Sequence, residues 1–142
     1  MSRGLEVLLL SGGGVLGVNA RYWFATWISG WAGARYPWAT LTINVTGSFA
    51  IGFLSMILAR WLPHPSARLF FLVGFLGGYT TFSSFAFEGH ALWERGEIGR
   101  ALTYLAGSVG AGFLAVVLGV ALGRAVVGPE ILLSEAVQGL SE

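Results

Sequence analysis

The segment Gly74-Phe-Leu-Gly-Gly-Tyr-Thr-Thr-Phe-Ser-Ser-Phe-Ala-Phe-Glu88 decides how this chain folds. It lies inside a long apolar stretch, yet its composition disfavours a continuous helix. Gly77 and Gly78 are followed directly by β-branched and hydroxyl residues, all of which have low helix propensity. We therefore predict a helix that breaks within this segment.

Four apolar stretches of this kind make up most of the 142 residues. They cover residues 5–28, 38–62, 69 to about 93, and 98–127. About 20 apolar residues in a helix cross a hydrocarbon core of roughly 30 Å, and every stretch is long enough. Charged residues are only 11% of the chain, whereas about 25% is usual in soluble domains. The sequence predicts an all-α membrane protein of four transmembrane helices, with the third broken near the bilayer centre.

The chain reads as one membrane domain followed by a short tail. Residues 1–128 hold the four predicted helices and only short connections, so we expect a single four-helix transmembrane domain there. Beyond Gly128 the remaining residues, 129–142, begin with Pro129 and combine glutamates with apolar residues at roughly helical spacing. For this tail we expect a short surface helix or disorder.

The arginines give little preference for either orientation in the membrane. Both termini share one side, and Arg21 can extend along its helix to the other. The two faces then carry four arginines each: Arg3, Arg60, Arg68 and Arg124 against Arg21, Arg35, Arg95 and Arg100. An excess of positive charge on one face normally fixes the orientation, and here the two faces carry equal positive charge. We predict an antiparallel, dual-topology homodimer, the simplest closed pair of oppositely inserted copies. The alternative is that Arg21 does not count toward either face, in which case a weak bias toward one orientation remains.

Polar side chains inside the predicted spans are mainly hydrogen-bond donors. They are Asn19, Thr40, Thr42, Asn44, Thr46, Ser48, Thr80, Thr81, Ser83, Ser84, Thr103, Tyr104 and Ser108. No acid lies at a span centre, where a cation pore would need a carboxylate ring. Donors and the positive edges of aromatic rings instead suit a small anion. A single hydroxyl usually bonds its own helix, but the cluster around Thr80, beside Phe82 and Phe85, favours an ion pathway.

Two further sequence features favour this interpretation. Asn44 is the best single candidate, because a buried amide is expensive in lipid and usually functional. A helix broken at membrane depth exposes carbonyl groups, which are tolerated only inside protein or along a cavity and can hold an ion there.

Several motifs match the patterns of other functions only superficially. Gly12, Gly14 and Gly17 imitate a dinucleotide fingerprint, but no acidic residue follows at the required spacing, so they favour helix packing instead. The pairs Gly74/Gly78 and Gly119/Gly123 have the same interpretation. His90 and Glu94 make too poor a metal site, and are expected on the surface. We expect no enzymatic activity, and the net charge of +1 points to no nucleic-acid partner.

Three ordered motifs resemble those of the Fluc (CrcB-type) fluoride channels, which are small four-span proteins. The motifs are Gly13-Gly-Val-Leu-Gly17 with Arg21-Tyr22, then Thr40-Leu-Thr-Ile-Asn44-Val-Thr-Gly47-Ser48-Phe49, and finally Gly74-Phe-Leu-Gly-Gly-Tyr-Thr-Thr-Phe-Ser-Ser-Phe85 with Glu88. The resemblance covers nearly the whole chain, except for the tail after Gly128. It implies antiparallel dimers with two fluoride pathways along the interface.

The resemblance also implies roles for individual residues. A structural sodium ion on the two-fold axis would be held by the backbone carbonyls of Gly77 and Thr80. Arg21 would lie near a vestibule. The fluoride pathway would use Asn44, the ring edges of Phe82 and Phe85, and polar groups of Thr40, Thr81, Ser84, Glu88, Tyr104 and Ser108. Where the family's track can continue with a second serine one turn beyond Ser108, this chain has Gly112.

We therefore expect a channel for passive fluoride efflux, which lowers fluoride toxicity in the cytoplasm. Its place would be the cell membrane, either the plasma membrane or the inner membrane of a prokaryote. The alternative is a small proton-coupled multidrug exporter, which needs a titratable glutamate deep in the first span; Glu6 lies at the start of that span. A third candidate is a non-transporting assembly subunit held together by its glycine faces.

Overall fold

All regular elements of the computed structural model are helices, over the residues that it describes, 1–33 and 35–128. We number them α1 (Arg3–Ala32), α2 (Trp38–Trp61), α3 (residues 65–79), α4 (Phe82–Glu94) and α5 (Ile98–Val127). The predicted all-α architecture is confirmed. The expected surface helix or disorder at 129–142 lies outside the described residues.

Within residues 1–33 and 35–128, three helical regions are long and apolar enough to cross a membrane: Trp38–Trp61, Pro65–Glu94 and Ile98–Val127. Helix α1 is also 30 residues long, but it carries Glu6, Asn19 and Arg21 and is less apolar. These regions identify a multi-pass membrane protein. A fourth span formed by α1 stays a prediction.

Helix α3 changes its hydrogen-bonding pattern along its length. It begins with the α-helical turn Pro65–Arg68, capped by His64, whose Nδ1 accepts the Ser66 N–H at 3.2 Å. The segment Leu69–Leu76 is π-helical, and Gly77–Tyr79 returns to the α form. Segments of π-helix are rare, and those that occur are often found at functional sites.

Glycines allow α1 to approach α3 until their backbones touch. A side-chain carbon at Gly17 would collide with the carbonyl oxygen of Phe75, and one at Gly13 would lie 2.9 Å from the Phe75 nitrogen. Helices α2 and α5 pack in the same way, with Gly119 against the Phe49 carbonyl. Such contacts are typical of membrane helices, where small residues permit close packing.

The connection between α4 and α5 is held by ion pairs. Glu97 accepts from Arg100 at 2.6 Å and from Arg95 at 3.1 Å. The hydrogen bond from Arg100, with that from Arg95, holds the pKa of the Glu97 carboxyl below its usual value. This places three charged side chains together at one end of the helices.

Candidate ion pathway

Thr80 and Thr81 separate α3 from α4 and have extended backbones, with ψ values of 159° and 116°. The side-chain amide of Asn44, on α2, stabilises this interruption through hydrogen bonds of both its oxygen and its nitrogen. Its Oδ1 accepts the N–H of Thr81 at 2.9 Å, and its Nδ2 donates to the carbonyl of Thr81 at 3.0 Å. Asn44 therefore takes the place of helical partners that Thr81 lacks. Whether the interruption lies at the bilayer centre stays a prediction.

The interruption releases the two carbonyls that were predicted to bind sodium. In a continuous α-helix each N–H bonds the carbonyl four residues earlier. The N–H of Thr81, which would then bond Gly77, donates to Asn44 instead. The N–H of Ser84, which would bond Thr80, donates to the Thr81 side chain at 3.2 Å, as in a helix N-cap.

These carbonyls suit a small cation by their chemistry. Unwound backbone carbonyls coordinate sodium in membrane proteins. The carbonyl of Thr80 also accepts from Nη1 of Arg21, at 3.3 Å. Because a carbonyl oxygen has two lone pairs, one remains for a cation beside this bond. These carbonyls therefore fit the sodium ion that the family resemblance implies, and Arg21 bonds one of them.

An open cavity of about 500 Å³ lies beside the interruption, between α2, α3, α4 and α5. Seven of the predicted site residues line it: Asn44, Gly77, Thr80, Thr81, Phe82, Phe85 and Ser108. Among the described residues that line it, none carries a charge. Amide, hydroxyl and carbonyl groups are its polar components, beside the phenylalanine rings and aliphatic side chains. The cavity therefore offers donors without a competing carboxylate.

The two phenylalanines differ in how they sit in the cavity. Their ring centroids are 5.6 Å apart with planes inclined at 48°. Phe85 is buried, whereas 79% of the Phe82 surface is exposed in the single chain. Phe85 also contacts the ring of Tyr104 at a centroid distance of 5.3 Å. Phe85 thus contacts both the cavity, which it lines, and a second group of polar residues that includes Tyr104.

This second group, the Glu88 cluster, consists of Glu88, Thr40 and Tyr104. The Thr40 hydroxyl donates to Oε1 of Glu88 at 2.8 Å, and the Tyr104 hydroxyl donates to Oε2 at 2.7 Å. Both donors are buried. Glu88 and Arg95 both line a smaller cavity of about 190 Å³. Both carboxylate oxygens of Glu88 therefore accept a hydrogen bond, and the residue also lines this cavity.

Ser108 is the least satisfied of the predicted residues. Its side chain lines the large cavity and is buried, and its Oγ has no hydrogen-bond partner among the described residues. Buried hydroxyls normally find a partner. An unpartnered hydroxyl facing a cavity is a candidate ligand for something that occupies the cavity.

The predicted site residues thus fall into three places. The cavity holds seven of them, and Ser84 lies next to it, with its Oγ 3.0 Å from that of Thr81. Thr40, Glu88 and Tyr104 form the Glu88 cluster, and Arg21 lies against the interruption itself. Sequence reasoning did not assign Ser48 to the site, although it lines the cavity. The available signal was its position one turn after Asn44, on the same face of α2.

A helical, multi-pass membrane protein with an uncharged polar cavity beside an interrupted helix is the class that this fold defines. The family model described as CrcB-like protein, Camphor Resistance (CrcB), matches residues 8–120. The chain therefore belongs to the CrcB family, which confirms the resemblance given above.

Curated relatives cover most of the same region. A protein of Rhizobium meliloti (strain 1021) named Fluoride-specific ion channel FluC is 47% identical over 123 residues, which are 86% of this chain and 98% of the relative. A protein of the same name from Thermus thermophilus is 46% identical, over 85% of this chain and 95% of its own length. One from Rhodospirillum centenum is 50% identical over 72% and 82%. These relatives are named as ion channels, not enzymes.

Proposed function

We propose that this protein is a fluoride-selective channel that gives passive fluoride efflux across the cell membrane and so lowers fluoride toxicity in the cytoplasm. The cavity beside Thr81 is the observation that carries the proposal, because its described lining offers donors and ring edges but no charged side chain. The names of the relatives support fluoride as the permeant ion.

Fluoride binds its hydration shell tightly, so a selective pore has to replace water with well-placed donors. The Ser108 hydroxyl has no partner among the described residues, and the Asn44 amide has a second N–H besides the one that bonds Thr81. Edges of the Phe82 and Phe85 rings carry positive partial charge and complete the surroundings of an anion. The hydroxyls of Thr81 and Ser84 belong to the cavity part of the pathway, and the Glu88 cluster continues it beyond Phe85.

The open form of the cavity supports assembly as a dimer. Exposed polar groups facing lipid would be costly. A second copy of the chain, inserted in the opposite orientation, would cover the cavity and the exposed Phe82. Two-fold symmetry would then create two equivalent pathways along the interface. In this arrangement α1 forms the fourth span, and the interruption at Thr80 and Thr81 lies near the bilayer centre.

A structural sodium ion is proposed on the two-fold axis, held by the carbonyls of Gly77 and Thr80 from both copies. The diversion of their helical donors to Asn44 and Thr81 supports this assignment. When bound, the ion would supply positive charge close to the anion pathway. Arg21 would add a second positive charge beside the same carbonyl, near the vestibule.

A proton-coupled exporter is less well supported. Such a protein needs a titratable acid deep in its membrane region, whereas Glu6 lies in the first turn of α1. Glu88 is engaged by Thr40 and Tyr104. A non-transporting assembly subunit would explain the glycine contacts but would leave the unpartnered hydroxyl in the cavity without a purpose.

The test is efflux of fluoride from liposomes that contain the purified protein, with chloride efflux measured in parallel. Fluoride should leave without a proton gradient and chloride should be retained. Phe82→Ile and Asn44→Ala should impair the fluoride flux. Phe87→Ile is the matched control, since Phe87 lies on the same helix as Phe82, is similarly exposed and does not line the cavity.

Equal passage of chloride, or flux that requires a proton gradient, would replace the channel with the exporter. No flux of either halide from well-folded protein would favour the assembly subunit. An impairment by Phe87→Ile as large as that by Phe82→Ile would show that the phenylalanine effect is not specific to the pathway.

A further inference from the structure

Hydroxyl groups on these helices differ in whether their own helix binds them. Several of them donate to a carbonyl one turn earlier, among them Thr26, Thr42, Thr46, Ser55 and Thr103. This is the usual arrangement of serine and threonine in membrane helices. The hydroxyl of Ser48 makes no hydrogen bond with any residue in the described part of the chain. It is therefore available to a ligand.

Ser48 lies beside Gly112, a position in the cavity lining that has no side chain. A carbon atom added at Gly112 would be 3.4 Å from Oγ of Ser48, so the hydroxyl lies directly over this glycine. Gly112 is one helical turn beyond Ser108, and all three residues line the same cavity. The Ser108 hydroxyl is also without a partner in the described chain, and its residue is only 9% exposed. Two unpartnered hydroxyls, from α2 and α5, thus line the same cavity.

We propose that Ser48 is a fluoride-binding residue of this chain, whose hydroxyl donates to the ion at the level of Gly112. The inference rests on the proposed function and adds a donor from α2 to the pathway. A hydroxyl donor in surroundings of low dielectric constant interacts strongly with an anion. Ser48 supplies here the group that a serine at position 112 would supply from α5.

The first test is Ser48→Ala in the full-length protein reconstituted in liposomes. A hydrogen bond to a charged group contributes enough that its loss should lower fluoride efflux by about tenfold at low fluoride concentration. The half-saturating fluoride concentration should rise in parallel. Ser55→Ala is the matched control, because Ser55 lies on the same helix, donates to the Ile51 carbonyl at 2.6 Å and does not line the cavity.

The second test is rescue by the double variant Ser48→Ala/Gly112→Ser. The serine at 112 returns a hydroxyl to the same part of the cavity, so efflux and half-saturation should move back toward the parent values. A merely structural role of Ser48 would not be restored from α5. Gly112→Ser alone shows whether the second change is tolerated.

The outcomes are distinct. If the parent protein conducts fluoride and Ser48→Ala conducts equally well, the inference is wrong while the proposed function stands. A lower rate with unchanged half-saturation also contradicts it. If Gly112→Ser alone conducts fluoride, absence of rescue in the double variant contradicts the inference. If Gly112→Ser alone does not conduct, the half-saturating fluoride concentration of Ser48→Ala decides. If the parent protein itself does not conduct fluoride, the proposed function fails.

Discussion

The Glu88 cluster and the large cavity meet at Phe85, which lines the cavity and contacts the ring of Tyr104, and they differ in how their hydroxyl groups are bonded. In the cluster, Thr40 and Tyr104 each donate to one oxygen of the Glu88 carboxylate. In the cavity, Ser108 has no partner among the residues that the structure describes. The difference separates polar groups that hold the protein together from those that remain for a ligand. Changes in the cluster should therefore act mainly on stability and loss of the Ser108 hydroxyl mainly on ion flux, whereas Asn44, which lines the cavity and also bonds Thr81, should affect both.

The largest loss of stability is expected for Asn44→Ala. It leaves both the N–H and the carbonyl of Thr81 without the amide that bonds them, and each unsatisfied buried group costs roughly 1–3 kcal/mol. The free energy of unfolding should fall by about 2–5 kcal/mol, seen as a lower melting temperature in detergent. The control is Asn19→Ala, since the exposed Asn19 donates only to its own helix, at Val15. Equal losses for both variants would contradict the role of Asn44.

Tyr104→Phe should have the next largest effect. It retains the buried ring but removes a donor from the Glu88 carboxylate, and a hydrogen bond to a charged group contributes about 1.5–3 kcal/mol. Thermal unfolding measures the loss. Tyr22→Phe provides the comparison, because Tyr22 is exposed and should tolerate the change. An unchanged melting temperature for Tyr104→Phe would mean that the cluster does not stabilise the fold.

Thr40→Val should cost slightly less, about 1.5–2 kcal/mol, because valine keeps the shape of threonine and the hydrogen bond that it removes, at 2.8 Å, is slightly longer than that of Tyr104, at 2.7 Å. Since both donors bind the same carboxylate, the double variant with Tyr104→Phe should show a coupling of about 0.5 kcal/mol or more. Thr42→Val is the control on the same helix, because the Thr42 hydroxyl bonds only the carbonyl of Trp38, in its own helix. Strict additivity would show that the two hydroxyls act independently.

The smallest effect on stability is expected for Ser108→Ala, within about 0.5 kcal/mol of the parent protein. Its hydroxyl bonds nothing in the described part of the chain, so the protein loses no interaction. Fluoride efflux should nevertheless fall by about tenfold, the effect of losing a donor to the ion. A clear loss of stability with unchanged efflux would reverse the distinction between the cluster and the cavity.

Helix positions could be predicted well because the apolar stretches are long and their connections short. The last stretch was predicted at 98–127, and α5 covers Ile98–Val127. The second was predicted to end one residue later than Trp61. The first was predicted as 5–28, but α1 runs from Arg3 to Ala32. Polar and glycine residues at its ends continue the helix, although hydropathy alone excludes them.

The arrangement of the site was less accessible to sequence reasoning. The residues around Thr80 were predicted as a cluster, and the cavity brings seven of the predicted residues together. Their bonding could not be predicted, because the partners are far apart in the chain: Thr40 and Glu88 are 48 residues apart. The π-helical form of Leu69–Leu76 also left no signal, since a uniformly apolar run does not specify which carbonyl each N–H will bond.

The bond between Asn44 and Thr81 joins residues that are 37 positions apart on different helices. Membrane helices insert first and associate afterwards. Before association, no amide is present beside Thr81, and its N–H can complete the helix by bonding Gly77. We therefore expect the extended form of Thr80 and Thr81 to arise late in biogenesis, when α2 docks. Newly inserted chains would then cross the bilayer with the Gly77 carbonyl satisfied, and would release it only on assembly.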